Sequence, residues 1–175
     1  MNFKLIDKIN IGSYKKILKG FKEKDWNRYR WRQQTEMVHR DTLTIPLIFD
    51  SDFRLKNPTY WKDYNKFKKQ IKTLENILTK IFGNGIIIRA LLIQLKMKSF
   101  IKSHIDQGES LSVCHRIHIP IITNNKVFFT VDNETKNLKE GELWEINNAK
   151  KYHSVQNKSR YSRTHLVVDW ITDDY

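Results

Sequence analysis

The chain has 175 residues, 39% of them hydrophobic and 12% aromatic, which excludes a disordered chain and suffices to bury one core without disulfide staples. Its 32 Lys and Arg stand against 19 Asp and Glu, a formal charge of +13; the field attracts anions, but the excess is mostly lysine in an Ile- and Asn-rich chain, so compositional bias is preferred to dedicated nucleic-acid binding. A single cysteine, Cys114, excludes an internal disulfide and fits a reducing compartment.

In chain order, Ser13 is the expected N-cap of a short helix with Tyr14, Ile17, Leu18 and Phe21 on one face, ending near Lys24. RYRWRQ reads as a strand, with Arg28, Arg30 and Arg32 on one face and Tyr29 and Trp31 on the other, its arginines a solvated edge in preference to a lip that contacts an acidic substrate, and DTLTIPLIF reads as a second strand. After Asn57-Pro58-Thr59, apolar residues recur at intervals of three and four from Trp61 to Ile81, which predicts a long helix stopped by Gly83. Beyond Gly85 the texture turns β-branched: IIIRALLIQLKM, VCHRIHIPII, KVFFTVD, LWEI and RTHLVVDWI read as strands, separated by turns at TNNK and KEGE. An α+β fold centred on an antiparallel barrel or sandwich is expected, as one domain over residues 1–175: a helical and strand part, 1–85, packs on a barrel core, 86–172. IIIRALLIQL is broken by Arg89 and too short to cross a bilayer, and MNFKLIDKIN lacks an apolar signal core, so the cytoplasm is the expected compartment and no membrane contact is expected.

His104 and Asp106 are two apart in SHIDQGESLSVCHRIHIPI, so in a strand they project to one side and can grip one ion. His153, in KKYHSVQN, supplies a third ligand where an antiparallel barrel returns a later strand beside the first. Two imidazoles and one carboxylate are the ligand set of mononuclear non-haem Fe(II) oxygenases, whose remaining coordination positions admit a cosubstrate and O2. Arg163 opens the apolar strand THLVVDW, where a buried guanidinium requires a carboxylate partner. His-x-Asp alone is a weak signal; the ordered set His104, Asp106, His153, Arg163 is a strong one. His165 shares the face of Arg163 and either lines the pocket or sits as a core imidazole. Trp144 and Trp170 are read as core, and Cys114 is given no role.

With these residues in place, the sequence resembles the aspartyl/asparaginyl β-hydroxylase family of 2-oxoglutarate- and Fe(II)-dependent dioxygenases. The likeness is carried by HIDQG, CHRIHIPI, NETKNLKEGELWEINNAKKYHSVQN and SRTHLVVDW, and more weakly by MVHRDTLTIPL. It implies a double-stranded β-helix, a jelly-roll or cupin-like core with flanking helices. It further implies iron on His104 and His153, the distal carboxylate of 2-oxoglutarate on Arg163, and the other end of that cosubstrate on Arg116 and His118. Strand alternation agrees, placing Arg116 and His118 on one face of VCHRIHIPI and His115 with Ile117 on the other. The presence of Asp106 makes the chain similar to the microbial and viral branch, whose vertebrate counterparts have a small residue there, and a viral source would put it in a host cytoplasm. The chain resembles a bare catalytic domain, without the repeat domain and anchor of the larger members.

The implied activity is hydroxylation of an amino-acid side chain in a peptide or protein, or of a free amino acid, with succinate and CO2 released. Substrate choice is expected in the loops at residues 25–42 and 107–112. A basic β-barrel that binds or modifies nucleic acid, through Tyr29, Trp31 and Phe128, is the alternative. A cupin-like isomerase or lyase is a third reading, but it has little use for Arg163. Composition and motifs are silent on oligomeric state.

Overall fold

The structure is a computed structural model and describes residues 1–174. Among these residues ten strands form two antiparallel sheets. Chain order begins with β1 (Phe3–Lys8), α1 (Gly12–Leu18), α2 (Glu23–Trp26) and α3 (Trp31–Thr35), then a 3-10 turn at Met37–His39, β2 (Thr42–Ile48) and α4 (Tyr64–Phe82). There follow β3 (Gly85–Leu95), β4 (Ser99–His104), α5 (Glu109–Val113), β5 (His115–Ile122), β6 (Val127–Val131), β7 (Glu134–Lys136), β8 (Glu142–Ile146), β9 (His153–Asn157) and β10 (Arg163–Thr172). The larger sheet runs β1-β8-β5-β10-β3-β2 and the smaller β4-β9-β6-β7, a jelly-roll core with helices on the outer face of the larger sheet.

The alternation of the central strands decides what faces where. On β10, Leu166, Val168 and Trp170 join the core beneath α1 and α4, packing with Tyr14, Phe67, Ile71, Leu74 and Leu78. The intervening Arg163, His165, Val167 and Asp169 turn inward between the sheets, all buried. On β5, Ile117, Ile119 and Ile121 take the helix side, which leaves Arg116 and His118 inward. A second core of Phe3, Leu95, Ile101, Val127, Phe129, Val131 and Val155 fills the space between the sheets. Both sheets therefore turn a mixed polar and apolar face toward one interior.

The long amphipathic helix is α4, with the expected stripe buried; Gly83 follows it at φ 95, a conformation that favours glycine. Gly85 admits the close passage of β10, because a Cβ there would lie 2.1 Å from the Ile171 carbonyl oxygen. The first helix is shorter than expected: it ends at Leu18, Ser13 lies inside it, and α2 is separate. Ile11, not Ser13, is the N-cap and caps with no side-chain bond, while Asn10 Oδ1 before it accepts from the Gly12 N–H at 2.8 Å. RYRWRQ is no strand. Its second half is helical, in α3, and its residues do not alternate between two faces: Trp31 stacks on Phe49, Arg28 pairs with Asp25 and Asp63, and Arg32 turns toward the interior. β1 also forms, as an edge strand on β8. No helix among the described residues is long and apolar enough to cross a membrane.

Candidate active site

His104 ends β4 and His153 begins β9, and the two are directly opposed in the antiparallel pairing of these strands. Their rings lie 4.1 Å apart, centroid to centroid. The ring of His104 is held through Nδ1 to the Lys102 carbonyl at 2.8 Å, and that of His153 through Nδ1 to the Lys151 carbonyl at 3.5 Å. An Nδ1–H that donates to a carbonyl leaves Nε2 with its lone pair, the form a metal requires. Both Nε2 atoms point at Asp106 Oδ1, at 3.4 and 3.8 Å. The ligand atoms of His104, Asp106 and His153 all lie within 4.8 Å of one another.

Asp106 reaches this position without being in a strand. β4 stops at His104, and the Asp106 amide instead donates to the Asn148 carbonyl at 3.1 Å. The same-side argument from strand alternation thus names the right neighbours for a reason the backbone does not use. Asp106 Oδ2 is held by Arg116 Nη1 and by Asn148 Nδ2 at 3.3 Å, which turns Oδ1 to the histidines. Burial raises the Asp106 carboxyl, but the Arg116 guanidinium and the two imidazoles outweigh it and hold it well below the ordinary range. Burial pulls His153 down to about 4, against the opposing pull of Asp106. A carboxylate and a neutral imidazole at neutral pH are the states that bind a divalent ion.

Arg116 is anchored in turn. Its Nε and Nη2 donate to Asp169 Oδ1 and Oδ2 at 2.7 and 2.8 Å, and Arg89 Nη1 donates to Asp169 Oδ2 at 2.7 Å from the other flank. Asp169 is fully buried in β10, opposite Arg116 on β5 and Arg89 on β3. The chain Asp169–Arg116–Asp106 carries the alignment of a sheet strand out to a loop carboxylate.

Deeper in the same chamber lies Arg163, 2% exposed, with Nε and Nη1 buried and without a partner. Burial alone pulls it down to about 9, and no carboxylate opposes the effect. An isolated buried guanidinium costs several kcal/mol, so the chamber suits a ligand that brings its own carboxylate. His118 and Asn148 border the same space, with Nε2 of His118 and Nδ2 of Asn148 3.3 Å apart. His118 Nδ1, Asn148 Oδ1 and both nitrogens of His165 are buried without partners. Burial, then the cations Arg116 and Arg163, keep His118 well below its usual value; burial and Arg163 do the same to His165. His115 faces away, its Nδ1–H donating to Glu145 Oε1 at 2.6 Å and its ring stacking on Phe82 at 3.9 Å.

Six sequence candidates, His104, Asp106, Arg116, His118, His153 and Arg163, therefore border one cavity. Asp169, Arg89, Asn148, Arg32 and His39 were not among them. Asp169 was legible by carrying the inward alternation Arg163, His165, Val167 one step further; Asn148 sits in a loop with no pattern to mark it. Of the aromatics considered for nucleic-acid contact, Trp31 stacks on Phe49 at 4.6 Å and Tyr29 packs edge-on to Trp61 at 5.2 Å. Trp31 belongs to the wall of a groove that opens beside the ligands and is lined also by Phe49, Phe53, Arg89 and Gln107.

The residues present fit an iron site and a 2-oxoglutarate site. Two imidazole Nε2 atoms and one carboxylate oxygen converge within 4.8 Å of one another, and the unpaired Arg163 guanidinium suits a dicarboxylate's far end.

A sequence model described as Aspartyl/Asparaginyl beta-hydroxylase matches residues 12–172. No curated protein matches the sequence. Among solved structures, a 2OG-Fe(II) oxygenase family oxidoreductase from Burkholderia pseudomallei aligns with a TM-score of 0.60 at 15% identity, covering 74% of this chain and 67% of that one. A prolyl hydroxylase from Trichoplax adhaerens, solved with a hypoxia inducible factor oxygen degradation domain peptide fragment, aligns at 0.59 and 11% identity, covering 99% and 84%. The viral collagen prolyl hydroxylase of Paramecium Bursaria Chlorella virus-1, in its 2OG complex, aligns at 0.55 and 8% identity, covering 97% and 96%. At such identities the structural likeness is one of fold. The double-stranded β-helix expected from the sequence is thus the observed core, and a metal-free nucleic-acid barrel has no support.

Proposed function

The chain belongs to the aspartyl/asparaginyl β-hydroxylase family, and from that membership we propose how its own residues carry the reaction. It is a 2-oxoglutarate- and Fe(II)-dependent dioxygenase that hydroxylates its substrate and releases succinate and CO2. When bound, iron with 2-oxoglutarate and O2 supplies the oxidising chemistry that removes hydrogen from an unactivated carbon. In our reading His104, Asp106 and His153 hold the iron. Arg163 pairs with the distal carboxylate of the cosubstrate. His118, seconded by Asn148, meets its other end, and Arg116 uses the N–H groups left over from Asp169 and Asp106 toward that end while holding Asp106 in line.

The protein's share of catalysis is then to bind, orient and exclude water. The apolar lining of Ile93, Ile101, Phe129, Val155 and Val167 keeps the chamber dry. No side chain is asked to act as a general base. For substrate we propose an amino-acid side chain within a peptide or protein. The reading is supported by the groove beside the ligands, bordered by Trp31, Phe49 and Phe53, and by the peptide that one structural neighbour holds.

The observation that carries the assignment is the unpaired, fully buried Arg163 facing a convergent His104, Asp106, His153 set. The test is succinate release under Fe(II), 2-oxoglutarate and O2 with defined peptide pools, read beside the mass gain of one oxygen on the peptide. Succinate that forms without iron, or in equal amount with Arg163→Ala and wild type, would refute it.

A further inference from the structure

Helices cover the outer face of the larger sheet, whereas that of the smaller sheet is bare, and the pairing of its strands sorts what it displays. Where β4, β9 and β6 lie side by side, Ser99, Asn157 and Val127 share one register and turn inward, all buried. One position beyond, at the ends of the same strands, stand Lys98, Lys158 and Lys126, all exposed. The Lys98 amide donates to the Ser159 carbonyl at 3.1 Å and the Lys158 amide to the Lys126 carbonyl at 2.9 Å, so the three turns are neighbours.

On the other side of that register, Phe100 on β4 and Phe128 on β6 both pair with Gln156 on β9. Ile101 and Phe129, next to them in sequence, belong to the core between the sheets, so Phe100, Gln156 and Phe128 face out. Phe100 is 42% exposed, and the Lys158 ammonium lies over Phe128, 5.4 Å from the ring centre. Lys102, Ser154 and Thr130 continue the face, and no side chain on it is a carboxylate. Asp132 and Glu134, in the β6–β7 hairpin, are occupied by Lys151 and Lys136. The backbone fixes the lysine row. Buried Asn157 donates from Nδ2 to the Lys96 and Tyr161 carbonyls at 3.0 and 2.8 Å, and Asn124 Nδ2 donates to Ser159 Oγ at 3.1 Å, which ties the turns together.

We propose that this face binds single-stranded RNA, with bases stacked on Phe100 and Phe128 and phosphates on the lysine row. The two rings stand about 10 Å apart, two strand spacings, and each offers a π face on which any base can stack beside cations that track the backbone. A duplex hides its base faces and an acidic peptide has none, so neither uses the phenylalanines. A membrane requires a contiguous apolar patch, which Gln156 interrupts. Gln156, Ser154 and Thr130 supply the donors and acceptors that a 2′-hydroxyl takes, which favours RNA over DNA. Lysine-rich composition by itself neither aligns cations across neighbouring strand ends nor keeps carboxylates off a sheet face. None of these side chains borders the ligand chamber or the groove. RNA therefore docks on the back of the strands that carry His104 and His153 and leaves the oxygenase site open to its own substrate.

Fluorescence anisotropy of a labelled oligouridylate tests this on the whole protein. We expect log K to fall against log salt concentration with a slope of about −3, the value for about four phosphate contacts on a single strand. Phe100→Leu with Phe128→Leu keeps both positions apolar and should lower affinity about tenfold or more at an unchanged slope. Lys158→Gln should instead flatten the slope by about 0.7. Lys68→Gln with Lys69→Gln, exposed on the distant helix α4, should change neither, and thermal melts certify the fold of each variant. A matched oligodeoxyuridylate and an RNA duplex should bind more weakly. Equal binding of the duplex or of oligoglutamate, an unchanged affinity in the phenylalanine variant, or an equal loss in the α4 variant would reduce the face to diffuse positive charge and overturn the proposal. Equal binding of the oligodeoxyuridylate would overturn the choice of RNA.

Discussion

Asp169 stands directly across from Arg116 on adjacent strands and receives two of its N–H groups, at 2.7 and 2.8 Å. With Arg89 on its other side, one buried carboxylate bridges two guanidinium groups, and Asp106 supplies the second negative charge. Asp169→Asn should therefore lower unfolding free energy by about 3–5 kcal/mol, the scale for breaking a buried pair from one side. It should also weaken metal binding by about 10–100-fold, because Arg116 no longer holds Asp106 in line. Urea unfolding and nickel titration measure the two losses separately. Undiminished metal affinity in a destabilised variant would break the proposed link from Asp169 to Asp106.

Either His104→Ala or His153→Ala leaves two protein ligands and should abolish stoichiometric iron binding, read by metal analysis after desalting. Asp106→Ala should reduce affinity less, since water can take its position, yet turnover should still fall. Unchanged iron content in both histidine variants would reject the metal assignment.

Arg163→Met should act with opposite signs on two observables. Removal of an unpaired buried cation should leave the ligand-free protein as stable as wild type or more so, by up to about 1–4 kcal/mol. The same change should cost about 2–4 kcal/mol in kcat/KM for 2-oxoglutarate with iron binding intact. Thermal melts with and without 2-oxoglutarate check both: wild type should gain stability from the ligand and Arg163→Met should not.

On β5 the contrast between neighbours is sharp. His118→Leu should weaken 2-oxoglutarate binding, since it removes a buried donor that borders the chamber, whereas His115→Leu should alter only stability through its lost Glu145 bond and Phe82 stacking. Anaerobic charge-transfer absorbance reads each. The reverse pattern would mean that the alternation of this strand does not govern cosubstrate binding.

Stability should fall in acid before most carboxylates titrate. His118 and His165 are held well below their usual value in the folded protein, so the unfolded chain binds more protons as pH drops through about 6.5. Stability attributable to them is full above that value and is lost below it, at a limiting slope of about 1.4 kcal/mol per pH unit for each histidine. Urea midpoints of the metal-free protein between pH 7.5 and 5 should show the slope, and His165→Phe should make it shallower. An identical pH profile in that variant would show that His165 takes up a proton freely when folded.

The elements that a period marks were the legible ones. The stripe of α4 from Phe67 to Leu78 and the β-branched runs of β3, β5 and β10 declare themselves because one face is buried against another layer. RYRWRQ misled because alternating aromatic and basic residues mimic a strand, while the actual positions are set by tertiary partners: Phe49 under Trp31, Asp25 and Asp63 beside Arg28. β1 was hidden for the opposite reason, since an edge strand buries only Phe3 of its six residues. At the site, His104, His153 and Arg163 could be read because ligand chemistry restricts residue type. His39 and Asn148 could not, because their positions depend on turns and loops folding back onto the chamber, and Arg32 was placed on a strand face when it lies in α3.

The two sheets contribute differently to the metal site. Both imidazoles belong to the smaller sheet, on β4 and β9, while the carboxylate is steered by Arg116 and Asp169 from β5 and β10 of the larger one. An ion held by all three would act as a rivet through the mouth of the sandwich. Amide hydrogens of β4 and β9 should then exchange more slowly on loading with Zn(II), while those beneath α4 keep their rate. Loading would thus tighten the smaller sheet against the larger before either cosubstrate or target arrives.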